Sequence, residues 1–225
     1  MPDDAIFLPV DEAYDRWAGE YDAADNPMVA GACRALETLG PLLAGREVFE
    51  FGCGTGRNLA AALRFGASGT AGCDLSRGML DRARLRAPEA RLFLQDMTAP
   101  LPLAAASVDL ALFCLSLEHV ADTAAPLREA RRLLRPDGLA VVIEIHPFLA
   151  CGGVAAHFEQ GGATIRMPTY AHRFGDHLNA FAAAGLHTAA CREWRAGDFG
   201  AAATAKMLKR GAEQPLLAQF VLRPV

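Results

Sequence analysis

Short apolar runs alternate with helical patterns through the middle of the chain, from residue 46 to residue 148. The apolar runs predict strands at Glu47–Phe51, 68–73, Arg91–Leu94, Val108–Cys114 and 139–145. Between them, apolar residues recur at three- and four-residue spacing, which predicts helices at 58–65, Arg77–Arg86 and 123–134. This alternation favours an α/β fold with a mostly parallel sheet and helices on both faces.

The patterning is weaker on both sides of this region. Helices are predicted at 14–22 and 28–43, a turn at 135–138, and a helix at 176–184 with Leu178 and Phe181 facing inward. Strands at 186–194 and 216–222 would complete the sheet. Residues 149–175 form a long, poorly patterned segment, which is typical of a functional lid. We therefore predict an N-terminal helical lid (1–45), an α/β core (46–148), a substrate lid (149–175) and a C-terminal helix with closing strands (176–225).

Three alternate glycines follow the first predicted strand of the core directly. Gly52, Gly54 and Gly56 permit positive φ and let a ligand approach the backbone closely. A dinucleotide fingerprint, G-x-G-x-x-G/A, would require glycine or alanine at Arg57 or Leu59. The spacing therefore disfavours an NAD-dependent dehydrogenase.

The carboxyl ends of the first four predicted strands carry groups that suit a nucleoside ligand. In an open α/β sheet, ligands bind outside these ends. Asp74 suits capture of ribose hydroxyls, and Asp96 can accept a hydrogen bond from an adenine amino group while Met97 packs on the ring. Carbonyls at Cys114 and Leu115 could take an ammonium group.

The pattern Glu-x-Gly-x-Gly-x-Gly at 50–56 resembles motif I of the class I S-adenosylmethionine-dependent methyltransferases, and the likeness extends over about residues 45–148. It implies a Rossmann-like, seven-stranded, mostly parallel sheet whose last strand is antiparallel, and S-adenosylmethionine as cofactor. The phrase at 14–22 also resembles the N-terminal lid helix of small-molecule methyltransferases, in which the second tyrosine, here Tyr21, covers the methionine end of the cofactor.

The strand ends and the resemblance together indicate a set of cofactor-binding residues. They are Tyr21, Glu50, Gly52, Cys53, Gly54, Gly56, Asp74, Leu75, Asp96, Met97, Cys114 and Leu115.

Composition and charge limit the kinds of partner that the protein is expected to bind. The net charge is -4 and no basic tract occurs, which argues against nucleic acid and anionic membranes. The fourth strand also lacks the Asn/Asp-Pro-Pro-aromatic motif of nucleobase methyltransferases. The acidic start Met1-Pro2-Asp3-Asp4, the lack of a long apolar run and the scattered cysteines predict a cytoplasmic protein that acts on a small molecule. The sequence also leaves open the formation of a homodimer.

The histidines are the candidates for acid–base chemistry. His119 follows the fourth strand and His146 ends the fifth, so either could be a general base or orient the acceptor. His172 and Asp176 would share a helix face, but strands four and five lack the Asp or Asn that a metal-assisted enzyme needs there, so we expect no metal.

The sequence thus predicts methyl transfer to a small, partly apolar metabolite at oxygen. The alternatives are nitrogen or carbon acceptors, and a homologue that binds S-adenosylmethionine without transferring its methyl group.

Overall fold

The computed structural model describes residues 5–23 and 26–225. The acidic N-terminus at 1–4 and part of the predicted N-terminal lid, residues 24–25, lie outside the described residues. The strands are Ile6–Phe7 (β1), Glu47–Phe51 (β2), Gly69–Asp74 (β3), Arg91–Leu94 (β4), Val108–Cys114 (β5), Leu134–Ile145 (β6), His157–Gln160 (β7), Ala163–Arg166 (β8), Leu186–Arg195 (β9) and Pro215–Pro224 (β10). The α-helices are Val10–Trp17 (α1), Pro27–Glu37 (α2), Gly40–Leu43 (α3), Arg57–Arg64 (α4), Arg77–Arg86 (α5), Ala124–Leu133 (α6), Pro147–Cys151 (α7), Phe174–Ala183 (α8) and Ala205–Leu208 (α9).

A seven-stranded sheet forms the centre of the molecule, in the order β4-β3-β2-β5-β6-β10-β9. The first five of these strands are parallel, and β10 runs antiparallel to both of its neighbours. The predicted Rossmann-like sheet with an antiparallel last strand is confirmed. The strand order reverses between β2 and β5, which is where open α/β sheets place their ligands.

Both faces of the sheet are buried. Phe49, Phe51 and Phe113 point to the face covered by α6 and α8, while Val48 and Leu112 point to the face covered by α2 and α4. Because side chains alternate between two covered faces, apolar residues occupy both sets of positions in β2 and β5, interrupted by Glu47 and Glu50 in β2 and by Asp109 in β5. In the described residues, no helix combines the length and the apolar character needed to cross a lipid bilayer.

Several predicted element boundaries are wrong. The helix predicted at 28–43 ends at Glu37, and a separate short helix begins at Gly40, next to Pro41. The turn predicted at 135–138 lies within β6, because Leu134 already pairs with Val108. Leu178 is 47% exposed and faces solvent, whereas Phe181 is buried as predicted.

The segment at 149–175, predicted as an unpatterned loop, contains the end of α7 and a β-hairpin. The hairpin strands β7 and β8 pair antiparallel, and β1 joins β8 in parallel to make a small three-stranded sheet. Phe158 of the hairpin stacks on Trp17 of α1, with ring centroids 4.8 Å apart. The small sheet and α1 therefore form one apolar cluster beside the edge of the central sheet where its parallel strands end.

Candidate functional site

The glycine turn after β2 has positive φ at all three glycines, 72° at Gly52, 52° at Gly54 and 72° at Gly56. A Cβ on Gly52 would lie 2.7 Å from Cβ of Ser116, and one on Gly56 would lie 2.9 Å from Cβ of Ala83. Around Gly54, nothing lies within 4 Å of that position. Gly52 and Gly56 therefore allow close packing within the protein, whereas Gly54 leaves open space for a ligand.

A first cavity of about 420 Å³ lies at the reversal point of the sheet. That volume is in the range of small-molecule sites. It brings together twelve of the fourteen predicted site residues, which are Tyr21, Glu50, Gly52, Cys53, Gly54, Asp74, Leu75, Asp96, Met97, Cys114, Leu115 and His119. Gly56 and His146 do not line it.

Glu50 presents an unsatisfied carboxyl oxygen at this cavity. Its Oε1 accepts a hydrogen bond of 2.7 Å from Asn58, while the buried Oε2 has no partner in the described residues. Burial raises the pKa of Glu50 to about 8. A ligand ammonium group would satisfy the free oxygen and favour the ionised carboxylate.

Arg57 lines the same cavity with a buried Nε that lacks a hydrogen-bond partner in the described residues. Its guanidinium lies 5.9 Å from the Tyr21 ring centroid, and Nη1 is 3.5 Å from Asp22. The unpaired carboxyl oxygen of Glu50 can accept from the ammonium group of an amino acid, and the unpaired Nε–H of Arg57 can donate to its carboxylate. The methionine part of S-adenosylmethionine has this chemistry, so the residues present fit the cofactor.

The two predicted nucleoside ligands lie at neighbouring strand ends. Asp74 accepts hydrogen bonds from the backbone N–H of Gly54 at 2.8 Å and of Ser76 at 2.9 Å, and burial raises its pKa. Asp96 accepts from the backbone N–H and hydroxyl of Thr98, each at 2.7 Å. Asp74 thus ties the glycine turn to the end of β3 while it faces the cavity.

Leu115, just after β5, has a φ of 55°, which is rare for a residue with a branched side chain. Such a conformation costs about 1–3 kcal/mol and occurs mostly at functional sites. The sequence gives no sign of this strain.

A second cavity of about 600 Å³ lies beneath α1 and the hairpin. Tyr14, Tyr21 and Leu115 line both cavities and form the wall between them. Phe158, Val154 and Ile145 contribute apolar surface, and Glu118 contributes a carboxyl group.

His119 stands at this wall. Its Nδ1 lies 2.9 Å from the Pro168 carbonyl oxygen and its Nε2 lies 2.8 Å from the Tyr14 hydroxyl. Burial lowers the pKa of His119 and raises that of Tyr14, so the imidazole is neutral and the phenol is protonated near pH 7. Nδ1–H therefore donates to Pro168, and Nε2 accepts the proton of Tyr14.

His146 does not reach the cavities. Its Nδ1 accepts from the backbone N–H of Phe148 at 3.1 Å, which caps α7, and its Nε2 donates to Glu193 at 2.8 Å. The helix begins directly after the strand, so the imidazole is used as a cap. The position of His146 thus corrects the expectation that it faces the acceptor.

Sequence reasoning missed Arg57, Asn58, Glu118 and Glu144. Glu144 offered a signal, since an acidic residue inside the apolar run 139–145 is rare unless it has a specific role. Within the part of the chain that the structure describes, no group of three or more His, Cys, Asp or Glu side chains could hold a metal ion.

The fold is similar to that of solved S-adenosylmethionine-dependent methyltransferases, and the first cavity lies where open α/β sheets place their ligands. Residues 49–142 match the family described as methyltransferase domain.

The chain is similar to a malonyl-[acyl-carrier protein] O-methyltransferase of Methylovorus sp. (strain MP688), with 34% identity over 61% of this chain and 50% of that protein. It is 36% identical to a demethylmenaquinone methyltransferase of Tropheryma whipplei (strain Twist), over 63% of this chain and 59% of that protein. The chain thus spans a little over half the length of these curated relatives. A crystal structure of an S-adenosylmethionine-dependent methyltransferase from Mesorhizobium loti superposes with a TM-score of 0.66 and 23% identity, over 84% of this chain and 96% of the other.

Proposed function

We propose that this protein transfers the methyl group of S-adenosylmethionine to an oxygen atom of a small, partly apolar metabolite. The observation that carries the proposal is the pair of cavities that share the wall of Tyr14, Tyr21 and Leu115. In this proposal the first cavity holds the cofactor and the second holds the acceptor.

The cofactor supplies an electrophilic methyl group on a sulfonium. Glu50 and Arg57 bind the amino-acid end, Asp74 binds the ribose hydroxyls, and Asp96 accepts from the adenine amino group with Met97 against the ring. The open space at Gly54 accommodates the ligand against the backbone. Tyr21 covers the methionine end.

The chain contributes alignment and exclusion of water. Methyl transfer from a sulfonium is an in-line displacement, and holding donor and acceptor in a near-attack geometry can supply much of the acceleration. Helix α1 and the small sheet cover the second cavity, which keeps bulk water from the reacting atoms.

His119 and Tyr14 accept the proton of the acceptor hydroxyl. Tyr14 lines both cavities, and its hydroxyl donates to Nε2 of His119. As the acceptor hydroxyl loses its proton to Tyr14, Tyr14 passes its own proton to His119. This device favours oxygen over nitrogen or carbon acceptors, because a neutral amine can attack before it loses a proton.

The acid–base assignment is tested with His119→Asn and Tyr14→Phe. Each change should lower turnover by about 10²–10⁴-fold with methyl-labelled S-adenosylmethionine and a metabolite extract as acceptor pool. Affinity for S-adenosylhomocysteine, measured by calorimetry, should persist. His187→Asn, an exposed position on β9, is the matched control. Full turnover in both variants would refute the proton pathway.

A further inference from the structure

A third cavity of about 240 Å³ adjoins the second. It is not lined by Tyr14, Tyr21 or Leu115, the residues that separate the first cavity from the second. Glu118, Ile145, Val154 and Ala155 line both the second and the third cavities. An acceptor that fills the second cavity therefore lies against residues that also line the third.

Two carboxyl groups line the third cavity, one of them buried (Glu144) and the other half-buried (Glu118). Glu144 is 3% exposed, and its Oε1 accepts from the backbone N–H groups of Ser116 and Leu117 at 3.0 Å each. Glu118 accepts from Ala156 at 3.3 Å. Burial raises the pKa of Glu118 to about 7 and that of Glu144 to about 8, and the charge of Glu118 adds to the shift at Glu144. The two groups are thus close enough to repel each other when ionised.

Little positive charge offsets these carboxyl groups. Among the described residues that line the second and third cavities, Lys206 is the one Lys or Arg, against Glu20, Glu118, Glu144 and Glu159. Tyr170 adds an aromatic ring to the third cavity. Carboxylates together with an aromatic ring are the surroundings that bind ammonium groups.

His177 supplies an independent sign that a ligand belongs here. It lines the third cavity, is 3% exposed, and its buried Nδ1 has no hydrogen-bond partner in the described residues. A buried polar atom without a partner is costly, and a ligand or a water molecule would satisfy it.

We propose that the third cavity is an acceptor subsite for a positively charged amine, held between the carboxylates of Glu118 and Glu144. This inference rests on the proposed function, since it assigns the second cavity to the acceptor. The acceptor class is then an amine-bearing metabolite that presents its reacting oxygen at the Tyr14 wall. A distal carboxylate on the acceptor would find no Lys or Arg among the described residues that line the third cavity.

The test titrates benzylammonium, benzyl alcohol and benzoate into the protein saturated with S-adenosylhomocysteine. The three probes share a ring and differ in charge. Benzylammonium should bind with a millimolar or lower dissociation constant, at least about tenfold tighter than benzyl alcohol, and benzoate should bind most weakly. Equal affinities, tighter binding of benzoate, or no saturable binding of benzylammonium at millimolar concentrations would overturn the proposal.

Two variants test whether Glu118 and Glu144 cause the preference for benzylammonium. Glu118→Gln combined with Glu144→Gln should bring the ratio of benzylammonium to benzyl alcohol affinity close to one, while Glu89→Gln, an exposed position, should leave it unchanged. If the double variant fails to fold, the ratio in the unaltered protein still decides. The heat of S-adenosylhomocysteine binding, recorded first, separates failure of the subsite from failure of the proposed function. Should that heat be absent, the same probes are titrated into the unliganded protein.

Discussion

At the scale of single residues, the site is defined by polar groups that the protein alone leaves unsatisfied. Glu50 Oε2 and Arg57 Nε are buried at the first cavity without partners in the described residues. Each unsatisfied group costs about 1–3 kcal/mol, which a ligand with matching charges recovers. In the proposed function, the cofactor completes these hydrogen bonds.

Glu50 makes cofactor affinity depend on pH. Its pKa is about 8 in the unliganded protein, and a bound ammonium favours the ionised form, so binding below about pH 8 releases a proton. Affinity for S-adenosylhomocysteine should rise by up to about tenfold per pH unit between about pH 6 and about pH 8. Calorimetric titrations with S-adenosylhomocysteine across this pH range measure the expected change in affinity.

The matched variant is Glu50→Gln, which cannot ionise. Its affinity should be lower and nearly flat over the same pH range. A wild-type affinity that falls as the pH rises through this window would contradict the role of Glu50.

The two histidines show how far single residues can be predicted. The sequence places His119 and His146 at the same edge of the sheet, and the carboxyl ends of β5 and β6 lie where they were predicted. Only His119 lines a cavity, because α7 starts immediately after His146 and takes its imidazole as a cap. This outcome depends on Glu193 and Phe148, and no local pattern records those contacts.

At the scale of elements, the glycine turn and the strand ends line the proposed cofactor site. Gly54→Ala, compared with a control variant, should separate the effect of ligand contact on cofactor affinity from the effect of backbone strain on stability. Alanine at this positive φ costs about 1–2 kcal/mol of stability, and its methyl group also enters the first cavity. Affinity for S-adenosylhomocysteine, measured by calorimetry, should fall at least about tenfold.

Gly45→Ala is the control, since Gly45 has a φ of 72° with open space around it and does not line the cavity. It should lose similar thermal stability and keep cofactor affinity. Equal affinity loss in both variants would mean that Gly54 acts through the fold alone.

Core strands were predictable and the hairpin was not. Strands β2, β4 and β5 match their predicted bounds, because short, mostly apolar runs end there at turn residues. In β7, Phe158 is the one buried residue of four, so the strand has no visible pattern. It forms because Phe158 stacks on Trp17, a contact between residues far apart in the sequence.

At the scale of the whole molecule, three carboxyl groups in the cavities weaken the unliganded fold as the pH rises. Burial raises the pKa of Glu50 and Glu144 to about 8 and that of Glu118 to about 7, well above the usual pKa of a glutamate. Between these values the folded state retains protons that the unfolded state has lost, so the free energy of unfolding falls with increasing pH.

The midpoint of thermal unfolding should therefore decrease from about pH 5 to about pH 8 for the unliganded protein. Glu144→Gln should reduce that slope, because glutamine cannot ionise. A midpoint that rises steadily through this range would contradict the burial of these groups.

The most direct test of the central claim is calorimetric titration of the protein with S-adenosylhomocysteine and, in parallel, with NADH. The account predicts saturable binding of S-adenosylhomocysteine, weakened in Glu50→Gln and Gly54→Ala, and no binding of NADH. Absence of S-adenosylhomocysteine binding, or saturable binding of NADH in its place, would contradict it.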